Sequence, residues 1–141
     1  MTLELHATPE EVMRAVEALQ EFGEARQIPG KILFGLTLAL EECGSNIVNH
    51  GLLRNADKTF RVSFDLSDCG IIIELRDPGP EFDPTLKPAG EPEADDDAPP
   101  GGWGIFLVRR YTDEIHYARE DGENVLRLTK NLSFPPPETS L

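Results

Sequence analysis

Leu38-Ala39-Leu40-Glu41-Glu42-Cys43-Gly44-Ser45-Asn46-Ile47-Val48-Asn49-His50-Gly51 carries two patterns at once. One is an apolar stripe at helical spacing, Leu36, Leu40, Cys43 and Ile47, extended upstream by Leu33. It predicts a helix from about Lys31 to His50, stopped by Gly51. The other is polar. Glu42, Asn46 and Asn49 stand at i, i+4 and i+7, on a face that flanks the stripe. A polar face is most often merely solvated. Asn, however, is a poor interior helix former, and two within four positions ask for a reason. A carboxylate and an amide oxygen one turn apart suit Mg²⁺, which prefers hard oxygen ligands and shares them with water and phosphate. Glu42 alternatively suits a general base acting on a hydroxyl or a water. Glu41, about 100° further round, reads as a surface carboxylate.

Upstream, Leu3 and Leu5 alternate as in a short strand. Thr8-Pro9-Glu10-Glu11 reads as a capping box, with Glu11 reaching back. A helix follows through Val12, Ala15, Val16, Leu19 and Phe22, with Gly23 as its stop and Pro29-Gly30 before the next helix. Downstream, Thr59–Leu66 alternates as a strand, Ser67 to Gly70 turns, and Ile71–Leu75 is apolar enough for a central strand. A short helix, Ile105 to Tyr111, precedes a hairpin of Glu114–Arg119 and Val125–Lys130 around Asp121-Gly122. The order predicts an α+β fold, a two-layer sandwich. Its sheet is mixed but mostly antiparallel, with the helices on one face.

Charge narrows function. The 141 residues hold 26 acids and 13 bases, a formal charge of −13, with 39% hydrophobic residues to build a core. Such acidity disfavours nucleic acid and anionic membrane surfaces, which are bound through Lys and Arg. Residues 81–100 alone carry Glu81, Asp83, Glu91, Glu93, Asp95, Asp96 and Asp97 against Lys87, along with Pro84, Pro88, Pro92, Pro99 and Pro100. That composition predicts a long loop. The length predicts a single domain over 1–134, with 135–141 as a disordered tail. The start of the chain has no signal-peptide pattern, no run reaches a membrane span, and Cys43 and Cys69 form no CxxC. The expectation is a cytoplasmic protein with reduced thiols.

Two further segments carry chemistry. Asp77-Pro78-Gly79-Pro80-Glu81-Phe82-Asp83 follows the central strand. It reads as a Pro/Gly turn or as a ligand loop. An ionised Asp only accepts hydrogen bonds, which suits the exocyclic amine of adenine, and Gly79 permits close approach. Gly101-Gly102-Trp103-Gly104 opens a helix, where free N–H groups and the helix N-terminus favour phosphate. It is neither a Walker A loop nor a Rossmann turn. Arg109, Arg110 and Lys130 are candidate extra cations.

Together these segments resemble the GHKL ATP-binding superfamily, and within it the anti-sigma factor serine/threonine kinases. Leu38–Gly51 resembles that family's N box, Asp77–Pro84 its first glycine box, and Gly101–Arg110 its second. The resemblance spans about residues 3–132. It implies ATP and Mg²⁺ as cofactors, Glu42 as general base and Asn46 as metal ligand, with Asn49 lining the same face. It implies that Asp77 and Gly79 hold adenine, that Gly102 and Gly104 hold phosphate, that 84–100 is the ATP lid, and that Thr129 assists on the adenine side. The implied activity is phosphorylation of a STAS-type anti-sigma factor antagonist in a partner-switching pathway. The alternative is a non-catalytic ATP-binding regulator that sequesters a sigma factor or another partner. The family often forms homodimers, with the first strand and the helices as the contact. Departures from the family pattern are Pro80-Glu81, where many members have a second glycine, and Lys87 as the sole base of the lid.

Overall fold

The computed structural model describes residues 1–86 and 104–132. The segments 87–103 and 133–141 lie outside the described residues, and with them Gly102, most of the expected lid and the expected tail. The strands are β1 (Thr2–His6), β2 (Thr59–Leu66), β3 (Gly70–Asp77), β4 (Glu114–Glu120) and β5 (Glu123–Asn131). The helices are α1 (Pro9–Ala25), α2 (Gly30–Asn46) and α3 (Gly104–Tyr111). One sheet runs β1-β2-β3-β5-β4, with β3 at its centre. The fold is the expected α+β class, but every pairing is antiparallel, so the sheet is not mixed among the described residues.

Alternation along β3 explains the two layers. Ile71, Ile73 and Leu75 are fully buried, whereas Ile72, Glu74 and Arg76 on the other face are only partly covered. The inner face joins Phe60, Val62 and Phe64 of β2 to Leu19, Leu33, Leu36 and Leu40 of the helices. The outer face carries ion pairs instead: Arg76 and Arg127 both reach Glu74, and Arg61 and Arg76 reach Glu123. Burial lifts the Glu74 carboxyl, but hydrogen bonds from Arg127 and Arg76 outweigh it and hold the group below its usual range.

Local chemistry sets the helix ends. Thr8 caps α1, its Oγ1 accepting from the Glu11 N–H at 3.3 Å, with Pro9 as the first helical residue. The capping box closes two residues early, because the Glu11 carboxylate accepts from the His6 N–H rather than the Thr8 N–H. Gly23 does not end α1, which runs to Ala25. A Cβ at Gly23 would lie 2.5 Å from Leu33 Cδ1, so the glycine is there to let α1 and α2 approach. The same device joins α2 to α3: a Cβ at Gly35 would lie 2.3 Å from the Tyr111 ring. The predicted second helix is present, but its last turn changes character. Ile47–Gly51 forms a π turn, with the Leu52 N–H donating to Ile47 O at 2.7 Å. Leu53 and Arg54 follow in left-handed conformations, φ 52 and 56, which β-carbon-bearing residues adopt only at a cost. Leu53 is 77% exposed.

Candidate functional site

The π turn delivers the end of α2 onto the loop after β3. A Cβ at Gly51 would sit 3.6 Å from Asp77 Oδ1, and one at Gly79 would sit 2.8 Å from that oxygen and 3.0 Å from Gly51 O. Gly51, Asp77 and Gly79 therefore meet in space, and at Gly79 a Cβ would collide with the carboxylate, whereas at Gly51 it would make ordinary contact.

Asp77 is 5% exposed. Its Oδ1 accepts from the Gly79 N–H at 2.9 Å and from Asn124 Nδ2 at 3.2 Å. Its Oδ2 accepts from no described residue. Because no described side-chain oxygen is buried without a partner, Oδ2 is reachable from outside. Burial pushes the Asp77 carboxyl above its ordinary value, against the lowering pull of the Asn124 and Gly79 hydrogen bonds and of the nearby Arg119 charge. The arrangement is a fixed carboxylate presenting one oxygen, which suits a ligand donor such as an amine.

Glu42 stands on α2, half-buried, and accepts from no described residue. Burial first, and then the neighbouring Glu41 charge, raise its carboxyl above the usual range. That is the environment of a base rather than of an ion pair. Asn46, one turn on, is half-buried and its amide is free of described partners. Among the described residues no three His, Cys, Asp or Glu side chains converge on a metal site. A metal held here would therefore take Asn46 Oδ1 and complete its shell from water and substrate phosphate, as Mg²⁺ commonly does. The residues present fit that ion. Asn49, within the π turn, accepts from Arg54 Nε at 2.6 Å, so its oxygen is already engaged.

Gly104 opens α3 as expected. Thr129 is placed elsewhere. It pairs with Ile72 on β3 and Glu114 on β4, while Asp77 pairs with Asn124. Five residues separate Thr129 from Asn124, about 17 Å along an antiparallel strand, and the odd count puts Thr129 on the outer face. The structure does not bring Thr129 to Asp77. Lys130, at the same far end, faces Asp113 at 3.7 Å. Arg110 lies over the Tyr111 ring, and Arg109 donates to Thr85 O at 3.0 Å, tying α3 to the short 3₁₀ turn Pro84–Leu86.

Three residues near the loop escaped the sequence reading. Asn124 is 6% exposed. Besides reaching Asp77, its Nδ2 donates to Pro80 O at 2.8 Å, and its Oδ1 accepts from the Phe82 N–H at 3.1 Å and from the Tyr117 hydroxyl at 2.5 Å. Arg119 donates to Gly79 O at 2.7 Å. The signal for Asn124 was present: it is a polar residue on the inward parity of Leu126 and Leu128, next to a hairpin turn that fixes register.

Similarity to known proteins agrees with this geometry. Residues 5–130 match the histidine kinase-like ATPase domain. A relative from Bordetella bronchiseptica, the serine/threonine-protein kinase BtrW, is 30% identical over 132 residues, 92% of each chain. Among solved structures, the RsbU and RsbW domains of Rv1364c from Mycobacterium tuberculosis match with TM-score 0.65 at 19% identity, covering 96% of this chain. This chain spans only a third of that protein's length, 33%. The SiaB-SiaC complex from Pseudomonas aeruginosa matches with TM-score 0.61 at 12% identity, covering 94% of this chain and 89% of the other. The carboxylate after the central strand, the polar helix face and the extent of the match agree: this chain belongs to the histidine kinase-like ATPase domain family, the GHKL type of ATP-binding fold.

Proposed function

We propose that this protein is an ATP-dependent serine/threonine kinase that phosphorylates a STAS-type anti-sigma factor antagonist. The observation that carries the reading is Glu42: a half-buried carboxylate without a described partner, one helical turn from a free Asn46 amide. The helix bearing both ends against Asp77. The name of the Bordetella relative supports a kinase acting on protein side chains.

In this reading Asp77 Oδ2 accepts the adenine amine, and Gly79 leaves the base room. The N–H groups of Gly102 and Gly104 receive phosphate oxygens, and Asn46 holds Mg²⁺. When bound, Mg²⁺ supplies positive charge to the phosphate oxygens. Glu42 takes the proton of the substrate hydroxyl as its oxygen bonds to the γ-phosphorus and the bond to the ADP oxygen breaks. Most of the catalysis is positioning and charge stabilisation. The segment 84–100 serves as lid, and a sigma factor and a second copy of the chain are further partners.

The test is transfer of labelled phosphate from Mg·ATP to a STAS antagonist. Transfer lost in Glu42→Ala with nucleotide binding retained supports the kinase. Nucleotide-dependent partner binding without transfer would replace it by the non-catalytic regulator.

A further inference from the structure

Asn124 spends all of its hydrogen-bonding capacity on the protein. A side-chain amide has two N–H donors and two lone pairs on oxygen. Here the donors go to Asp77 Oδ1 and Pro80 O, with Gly79 O a longer third acceptor at 3.5 Å, and the oxygen receives the Phe82 N–H and the Tyr117 hydroxyl. Nothing is left for a ligand, so whatever Asn124 does for binding it does through Asp77.

The four bonds also fix which end of the amide is which. The Phe82 N–H can only donate and Pro80 O can only accept, so oxygen faces Phe82 and nitrogen faces Pro80 and Asp77. Asp77 Oδ1 is thereby occupied by Asn124 and by the Gly79 N–H, and only Oδ2 remains for a base. The donors on Oδ1 favour a carboxylate that accepts and does not donate. Arg119 holds Gly79 O from the other side, so the loop is clamped before any ligand arrives.

We propose that Asn124 is the positioning residue that makes Asp77 selective for a base bearing an exocyclic amine. The proposal rests on the nucleotide reading above. A base with a carbonyl at that position offers an acceptor to an acceptor and is rejected. Aspartate at 124 keeps the shape but replaces the donors with an oxygen beside Asp77 Oδ1. Repulsion between the two carboxylates then turns Asp77 out of its fixed orientation, and the preference for the amine goes with it.

The measurement is the ratio of IDP to ADP dissociation constants by calorimetry with Mg²⁺ on the full chain. IDP carries a carbonyl where ADP carries the amine. The natural chain is expected to prefer ADP by about a hundredfold, and Asn124→Asp to bring the ratio within roughly threefold of unity. ADP would weaken far more than IDP. A ratio left at its original value overturns the proposal, whatever the change in Tm, since a purely structural residue weakens both ligands alike. Should Asn124→Asp fail to fold, Asn124→Ala is decisive. Freeing Oδ1 and Pro80 O lets the carboxylate turn, and the ratio is expected to fall about tenfold. An unchanged ratio there overturns the proposal equally. A natural chain that binds neither nucleotide refutes the nucleotide reading, and this proposal falls with it. Preserved ADP preference in both variants refutes the role of Asn124 alone.

Discussion

Replacing Asp77 by Asn separates what the carboxylate does for the fold from what it does for a ligand. The two side chains have the same shape. Oδ1 accepts from the Gly79 N–H and from Asn124 Nδ2, so in Asp77→Asn the amide carbonyl must take that place and the NH₂ must take the place of Oδ2. For the fold, nothing is lost: both donors keep an acceptor, and a buried charge disappears. The sign follows from linkage. The folded-state pKa of Asp77 is raised, chiefly by burial. Its contribution to stability is therefore fully present below the unfolded value and is lost as pH rises through the folded one. At pH 7.5 the natural chain carries that penalty and the variant does not. Ligand-free Asp77→Asn should be at least as stable as the natural chain at pH 7.5, by up to about 1 kcal/mol, with the advantage gone near pH 3.

For adenine the same change sets a donor against a donor. Losing a hydrogen bond to a charged group and leaving the amine unpaired costs about 2–3 kcal/mol, or roughly 30- to 150-fold in Kd. Urea denaturation without nucleotide and calorimetry with Mg·ADP measure the two halves. Wild-type ADP affinity in Asp77→Asn would refute the assignment of Asp77 to the base. Marked destabilisation without ligand would refute the account of its hydrogen bonds.

Other expectations follow from single contacts. Because burial and Glu41 raise the Glu42 carboxyl, the acid limb of kcat against pH should lie above the ordinary glutamate range, and its absence would remove Glu42 as base. Chelation of Mg²⁺ should weaken ADP binding by roughly tenfold or more, about 1.4 kcal/mol; full affinity in EDTA would contradict a metal on Asn46. Gly70→Ala puts a Cβ 2.1 Å from the Lys130 carbonyl oxygen, which is backbone and cannot turn aside. It should cost about 3 kcal/mol or more in urea denaturation. Gly35→Ala meets the Tyr111 ring at 2.3 Å and should cost about 1–2 kcal/mol after the helix propensity of alanine is credited, a loss that Tyr111→Leu should partly restore.

What was legible in the sequence was local. Thr8-Pro9 at a helix start, the Asp121-Gly122 turn with φ 52 and 78, and the alternation of β2 depend on a few neighbouring residues, and they appear where the pattern put them. Thr129 failed for a non-local reason. Its presence on the last strand was right, but its neighbour is set by the pairing of β5 with β3. That register reverses faces with every residue, so an offset of five decides the matter. Gly23 was misread because glycine has two uses, as a helix stop and as a close-packing position, and only the position of Leu33 tells them apart. The π turn has no sequence signature, yet it carries Gly51 to Asp77 and so joins two motifs 26 positions apart in the chain.

Charge gives the site its character. The chain is acidic, at −13, and the arginines nearest the loops are already committed. Arg54 donates to Asn49, Arg119 to Gly79 O and Arg109 to Thr85 O, while Arg61, Arg76 and Arg127 pair with glutamates on the outer face. The first three brace loops and the last three brace the sheet, and the field around them is that of a chain with a net charge of −13. Long-range steering then works against a nucleotide, and association is slower than for a site with a positive funnel. Selectivity must therefore come after encounter, from fixed short-range geometry. A metal and backbone N–H groups offset the phosphates, and a single carboxylate oxygen reads the base. That places unusual weight on whatever holds the oxygen still, and in this chain the holder is the saturated amide of Asn124.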